Sequence, residues 1–183
     1  KFKEKFILKE NLYPGVYIKE IAQNILDNNK NINFKNLDDC YDQLKKLSLQ
    51  GSMTLIKNDL KKLGIQHDNF FSETELVKRD LVKKAVKQLQ TQNFVEEGYL
   101  APPKGEISET WKKTKRLVFK STEFGDDTDR ALQKNDGSWT YFANDVAYHS
   151  DKINRKFKNL INILGADHTG YVKRITAAVS ALS

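Results

Sequence analysis

Asp145 stands four residues after Tyr141 and shortly before Tyr148 and His149, in the run Tyr141-Phe142-Ala143-Asn144-Asp145-Val146-Ala147-Tyr148-His149. If that run is helical from Asp145 onward, Asp145, Tyr148 and His149 project from neighbouring positions of one face. A carboxylate beside an aromatic ring suits a cation, above all a guanidinium, which takes two parallel hydrogen bonds from the carboxylate and lies against the ring. The competing reading is an N-terminal aspartate that complements a helix dipole, with Tyr141 a hairpin residue, and local pattern alone favours it.

Of the three histidines, only His168 sits in a predicted strand-to-helix loop, beside Asp167 and close to the start of a helix whose free amides attract a phosphate or carboxylate. Alternatively Asp167 caps that helix and His168 is a surface side chain. Glu73 falls inside Ser72-Glu73-Thr74-Glu75, a capping-box pattern, and so reads either as a first-turn carboxylate or as a ligand; Phe70 and Phe71 ahead of it read as core. Glu123, Asp126, Asp127 and Asp129 crowd one loop, but without calcium-loop spacing and with Arg130 adjacent they predict an acidic turn and no metal site. The strip Lys112-Lys113-Thr114-Lys115-Arg116 offers phosphate contacts or simply solvated lysines. Glycine-rich dinucleotide and P-loop fingerprints, a nucleophile elbow and a His-Glu-x-x-His zinc motif are all missing from the sequence.

The elements that must hold these residues follow from periodicity. After the turn Tyr13-Pro14-Gly15, the residues Tyr17, Ile18, Ile21, Ala22, Ile25 and Leu26 predict an amphipathic helix ending near Asn28, followed by an Asn/Lys-rich surface loop. Tyr41, Leu44, Leu47, Ile56, Leu60 and Leu63 predict one or two helices, interrupted or strained at Gly51 and terminated at a left-handed Gly64. Residues 65–71 read as extended, and Ser72 should cap a helix running towards Gln92.

An irregular loop around Pro102-Pro103 and Gly105 precedes a small antiparallel sheet over Leu117 to Phe142, with Asn135-Asp136-Gly137 as its hairpin turn. Leu160-Ile161-Asn162-Ile163-Leu164 is an apolar run of the kind buried on both faces of a parallel sheet. It leads through Gly165-Ala166-Asp167-His168-Thr169-Gly170 into a helix packed on Tyr171, Val172, Ile175, Ala178, Val179 and Leu182. Ligands of open α/β sheets bind beyond the carboxyl ends of strands, which marks this loop.

A chain of 183 residues with 39% hydrophobic content is long enough for one ordinary core, which excludes a disordered tail or a disulfide-stapled miniprotein. The formal net charge of +7 favours polyanionic partners such as nucleic acid or nucleotides. The lone Cys40, expected as a partly buried small side chain, fits a reducing compartment. With no signal peptide and no apolar run near about 18 residues, a cytoplasmic protein with no membrane partner is expected. The missing initiator methionine and a helical pattern that runs into Ser183 are expected of a piece of a longer chain.

Three ordered blocks carry a resemblance. These are Phe119-Lys120-Ser121-Thr122-Glu123-Phe124-Gly125-Asp126-Asp127-Thr128-Asp129-Arg130, the run from Lys134 to His149, and Gly165-Ala166-Asp167-His168-Thr169-Gly170-Tyr171-Val172-Lys173-Arg174. Together with Tyr13-Pro14-Gly15-Val16-Tyr17-Ile18, Gly64-Ile65-Gln66-His67-Asp68 and Phe71-Ser72-Glu73 they resemble the bacterial arginyl-tRNA synthetases, in that family's order, over nearly the whole chain. The resemblance implies an α/β fold: part of a Rossmann-type class I synthetase catalytic domain with helical segments and a small antiparallel β insertion. Residues 1–97 would be its mainly helical part, 98–142 the antiparallel insertion and hairpin region, and 143–183 part of the second Rossmann half, a strand-loop-helix.

By the same resemblance the function is that of an arginine–tRNA ligase, a monomer of protein biosynthesis that activates L-arginine with ATP and magnesium and passes it to its tRNA. Tyr141 and Asp145 match the family's Tyr-x-x-x-Asp positions that hold the arginine side chain, Glu73 the glutamate that also faces it, and His168 a position lining the amino-acid and adenylate site. No protein nucleophile or catalytic residue is implied here. The sequence contains neither the His-x-Gly-His-like nor the Lys-Met-Ser-Lys-Ser-like ATP signature, so this stretch alone is expected to be inactive. It also has Arg155-Lys156-Phe157 where the family's pattern often reads Arg-Gly-Phe. The alternatives left open are a non-catalytic synthetase-like module that binds RNA or arginine, and a structural interaction domain.

Overall fold

Apolar residues at three- and four-residue spacing fold into helices much as the pattern predicts, in a computed structural model that describes residues 15–100 and 114–183. Tyr13, Pro14, the Pro102-Pro103 loop, Lys112 and Lys113 lie outside the described residues. The chain divides into two units, one ending at Phe70 and the other running from Phe71 to Ser183.

The first unit pairs α1 (Val16–Asn28) with α2 (Leu37–Lys62), and Ile25 and Cys40 are its buried apolar side chains among the described residues. Asn36 caps α2 by accepting the Asp38 amide at 3.1 Å. The expected interruption at Gly51 does not occur, because glycine there serves packing. A Cβ at that position would fall 2.7 Å from Ile21 Cγ2, so its absence lets α1 approach α2. Gly64 takes φ +74°, and the bonds from the Gly64 amide to the Lys61 carbonyl (3.0 Å) and from the Ile65 amide to the Leu60 carbonyl (2.9 Å) close the helix as predicted.

The second unit holds the core. Here α4 (Leu81–Thr91), α5 (Tyr141–Asn154) and α6 (Val172–Leu182) pack on one another through Val82, Val86, Leu89, Val146, Ala178 and Ala181. An antiparallel sheet of order β1-β2-β3 joins them: β1 (Val95–Gly98), β2 (Arg116–Phe119) and β3 (Arg130–Ala131), with Val95 opposite Phe119 and Val118 opposite Ala131. Phe119 is fully buried and stacks near Phe124 and Phe142. Among the described residues no helix is long and apolar enough to cross a membrane.

Several expectations need correction. The helix predicted from Ser72 to Gln92 is broken into α3 (Glu73–Lys78) and α4 by Asp80 at φ +53°, a left-handed conformation that Asp tolerates better than most residues. Ser72 precedes α3, but its side chain makes no capping hydrogen bond. The sheet starts earlier than expected, at Val95, and ends earlier, because Tyr141 and Phe142 open α5 instead of a strand. The Asn135-Asp136-Gly137 turn does form, between a single bridge pairing Gln133 with Trp139 and a bond from the Lys134 amide to the Ser138 carbonyl at 2.8 Å.

The apolar run at 160–164 is not a strand. Ile161 and Ile163 are 85% and 94% exposed, because a parallel strand needs neighbours to pair with and none of the described strands runs beside it. Val172 is likewise exposed, and the buried face of α6 is Ile175, Ala177, Ala178, Ala181 and Leu182.

Candidate functional site

Thr140 fixes where the site helix begins. Its hydroxyl accepts the Ala143 amide at 3.2 Å, which caps α5, and donates to the Ala131 carbonyl at 3.0 Å, which ties that cap to the end of β3. With the start of α5 set, Asp145 comes one turn in. Both α3 and α4 pack on α5, and the left-handed Asp80 separates α3 from α4.

The result is a cavity of about 260 Å³ lined by Phe71, Glu73, Leu76, Asn144, Asp145 and Tyr148. Two acidic side chains distant in sequence therefore share one cavity with an aromatic ring. Leu76 is buried against it, and Phe71 meets Tyr148 at 5.1 Å between ring centroids. Asn144 brings an amide oxygen that is buried with no hydrogen-bond partner among the described residues. Lys152 Nζ lies 4.4 Å from the Tyr148 ring centre and donates to Asn162 Oδ1 at 2.9 Å. Burial, with Arg155 nearby, lowers the pKa of its ammonium group, and Asp145 works in the opposite direction. The Tyr148 ring thus already carries a cation from the chain itself.

Asp145 Oδ2 accepts a hydrogen bond from the Tyr171 hydroxyl. Burial and that bond raise the pKa of the Tyr171 phenol well above its ordinary value, so it remains a proton donor. Oδ1 of Asp145 has no hydrogen-bond partner among the described residues.

Glu73 and Asp145 are thus brought together, whereas Tyr141 and His168 are not part of the cavity lining. Tyr141 lies one turn earlier on α5, 76% exposed, with Lys134 Nζ 5.7 Å from its ring centre. His168 sits on a 3₁₀ turn (Ala166–Tyr171), its side chain 56% exposed, with Nε2 3.5 Å from Asp167 Oδ2 and its ring edge-on to Tyr171 at 6.4 Å. Asp167 does not cap the turn. Of the two phenylalanines expected in the core, Phe71 lines the cavity while Phe70 is exposed beside Lys57 and His67.

Tyr171, Asn144 and Thr140 carry no sequence signal that marks them for this site. The periodicity places Tyr171 on the packed face of α6, and no local pattern links it to a carboxylate 26 positions away.

The acidic loop is spent on structure. Asp126 is buried and held by Arg130 Nε and Nη2, both at 2.7 Å, and by the Ser121 hydroxyl at 3.0 Å. Although burial opposes its ionisation, Arg130, the Asp127 amide and Ser121 hold its carboxyl below the usual range. Asp127 pairs with Lys173 at 2.7 Å and Asp129 accepts from Thr122. In the basic strip, Lys115 pairs with Glu97 at 2.8 Å and Arg116 donates to the Thr114 hydroxyl.

No protein-family model matches the chain. Over 183 residues, its full length, it is 53% identical to the arginine–tRNA ligase of Pelagibacter ubique and covers 32% of that protein. It is 48% identical to the arginine–tRNA ligase of Ehrlichia chaffeensis, with 98% of this chain and 31% of that one aligned. A crystal structure of a protein assigned as an arginyl-tRNA synthetase from Campylobacter jejuni superposes with a TM-score of 0.74 at 27% identity, over 98% of this chain and 36% of that one. Over its whole length the chain is similar to the arginine–tRNA ligases, and it spans about a third of the length of the curated relatives it matches.

Proposed function

We propose that this chain forms the arginine-binding part of an arginine–tRNA ligase, and that the Glu73/Asp145 cavity takes the guanidinium. The observation that supports this reading best is the placing of two carboxylates and the Tyr148 ring on one cavity. A planar guanidinium presents a fixed fork of donors that pairs with carboxylates bidentately, which the single ammonium of lysine cannot do and neutral citrulline has no charge to do. A site built for that fork rejects the analogue by leaving its own buried polar groups unpaired. Tyr141, one turn before Asp145, would close over the outer side of the ligand, and His168 would lie towards the amino-acid backbone and adenylate.

The reaction implied is attack of the arginine carboxylate on the α-phosphate of ATP, followed by transfer to tRNA, with rate gained by positioning rather than by a protein nucleophile. Among the described residues no group of three or more His, Cys, Asp or Glu could hold a metal ion. Magnesium that arrives with ATP needs only one or two carboxylates beside the phosphates. The share proposed for this chain is the binding and orientation of arginine.

In the fold we infer, residues 143–183 belong to the second half of a Rossmann-type domain. The exposed run 160–164 would pair there as a parallel strand with strands outside these 183 residues, beside an antiparallel insertion at 98–142 and a mainly helical part at 1–97. The enzyme would work as a monomer in the cytoplasm, and this stretch alone would be inactive.

The test is arginylation of tRNA by the complete ligase containing this segment, wild type beside Asp145→Asn, with lysine and citrulline as competitors. Charging with arginine alone, and its loss in the variant through a raised arginine KM, are expected. An unchanged KM would remove Asp145 from the site. No charging by folded wild type would leave a synthetase-like module that binds arginine or RNA without catalysis.

A further inference from the structure

We propose that Tyr171 is a positioning residue for arginine recognition, setting the Asp145 carboxylate so that one oxygen is held and the other faces the ligand; this rests on the arginine site proposed above. The phenol is itself fixed from several sides. Its ring meets the edges of Phe142 and His168, each at 6.4 Å, and the Arg174 guanidinium lies 5.4 Å from its centre. Tyr171 also stands at the junction between the 3₁₀ turn and α6, and α6 is anchored in the core by Ile175 and Ala178. The hydroxyl that reaches Asp145 Oδ2 is thus carried by a ring with little freedom to move.

The kind of donor matters. A lysine or arginine in the place of Tyr171 would orient Asp145 equally well, but would neutralise the charge that attracts the ligand. A phenol with its proton retained orients the carboxylate without itself cancelling the negative charge. Oδ1, without a partner among the described residues, is then the oxygen free to join Glu73 on the cavity. With the carboxylate plane set in advance, the ligand avoids the cost of ordering it, and the two-pronged fit that separates arginine from lysine is kept.

The test compares Tyr171→Phe with Asp145→Asn and the double variant in the complete ligase. Phenylalanine keeps the ring contacts and removes only the donor. Tyr171→Phe is expected to raise the arginine KM roughly tenfold, the usual worth of a hydrogen bond to a charged group. The ATP KM and kcat should stay within about twofold and the preference for arginine over lysine should narrow. Because Tyr171 acts through Asp145, adding Tyr171→Phe to Asp145→Asn should cost nothing more.

If Asp145→Asn leaves arginine KM unchanged, the arginine site itself is misplaced and this proposal falls with it. If Asp145→Asn is impaired and Tyr171→Phe is normal, only the positioning role is overturned. A variant with lowered kcat, raised KM for both substrates and additive losses would show a purely structural tyrosine and also overturn it. Should the phenylalanine protein melt too low to assay, the Cζ resonance of Tyr171 in labelled wild-type enzyme reads the same contact. Saturating arginine is expected to shift it, and an unmoved resonance would overturn the proposal.

Discussion

Asp126 and Asp145 belong to the same unit and both sit against its core, yet their carboxylates are treated in opposite ways. Asp126 is closed: a bidentate Arg130, a serine hydroxyl and a backbone amide use both of its oxygens, and its charge is cancelled on the spot. Asp145 is anchored by one neutral phenol and is left at the edge of a cavity that holds a second acid. A buried charge with a full counter-charge holds loops together. One that is oriented by a neutral donor suits the role proposed for Asp145, in which a cation arrives from outside.

The sharpest way to break this contrast is to replace each aspartate by its amide. Asp126→Asn strands Arg130 in a largely buried place and should destabilise the fold by about 4 kcal/mol, with the arginine KM of the folded fraction unmoved. Urea unfolding followed beside arginine kinetics in the complete ligase containing this segment reads both. The same pair predicts an acid response. Since folding holds the Asp126 carboxyl below its ordinary pKa, the pair's stabilisation is fully present above about pH 4 and is lost as pH falls through the lower folded-state value. Asp126→Asn should remove that part of the acid dependence, and an identical urea-midpoint profile in wild type and variant would refute the closed-pair view.

Asp145→Asn should do the reverse, costing about 3 kcal/mol in kcat/KM for arginine, roughly a hundredfold, while the urea midpoint barely shifts. A variant whose stability collapses would place Asp145 with Asp126 as a structural acid.

Why the two aspartates were hard to rank from sequence is now physical. Asp126 lay in a cluster of acids that first suggests a metal, and its partner Arg130 was visible at i+4 within the same loop. Asp145 looked like a helix-dipole aspartate because the features that distinguish it come from elsewhere: Glu73 from α3, and Tyr171 from the turn before α6. The helices α1, α2 and α6 were legible because periodicity is local, whereas the first residues of α5, Tyr141 and Phe142, read as the end of a sheet. The left-handed Asp80 that separates α3 from α4 was not legible, since nothing nearby distinguishes it from a helical aspartate. The run at 160–164 was legible as apolar but not as exposed, because burial depends on strands that the described residues do not supply.

Glu73→Gln sharpens the comparison on its weaker side. Glu73 is an exposed acid at the first turn of α3, so its attraction for a cation is screened more than that of half-buried Asp145. A rise in arginine KM of roughly two- to fivefold is expected, smaller than that for Asp145→Asn and with no change in melting temperature. An effect equal to that of Asp145→Asn would mean that the two acids clamp one guanidinium as a unit, in which case the double variant would lose little more than either single one.

The smallest expected effect lies at the far end of α5, the helix that carries Asp145. Arg155 ends it, and Lys156 follows at φ +63° with its amide bonded to the Ile153 carbonyl at 2.8 Å, the left-handed closing position where glycine is usual. The family pattern Arg-Gly-Phe therefore has a backbone reason, and this chain bears lysine at a conformation that costs a side-chain-bearing residue roughly 1 to 2 kcal/mol. Glycine would remove that strain but lose more chain entropy on folding, which offsets part of the gain. Lys156→Gly should thus raise stability by up to about 1 kcal/mol, seen as a higher urea midpoint, with arginine KM unchanged. If arginine KM did move, the end of α5 would be coupled to the carboxylate at its start, and the separation of fold-holding residues from ligand-holding ones would fail along that helix.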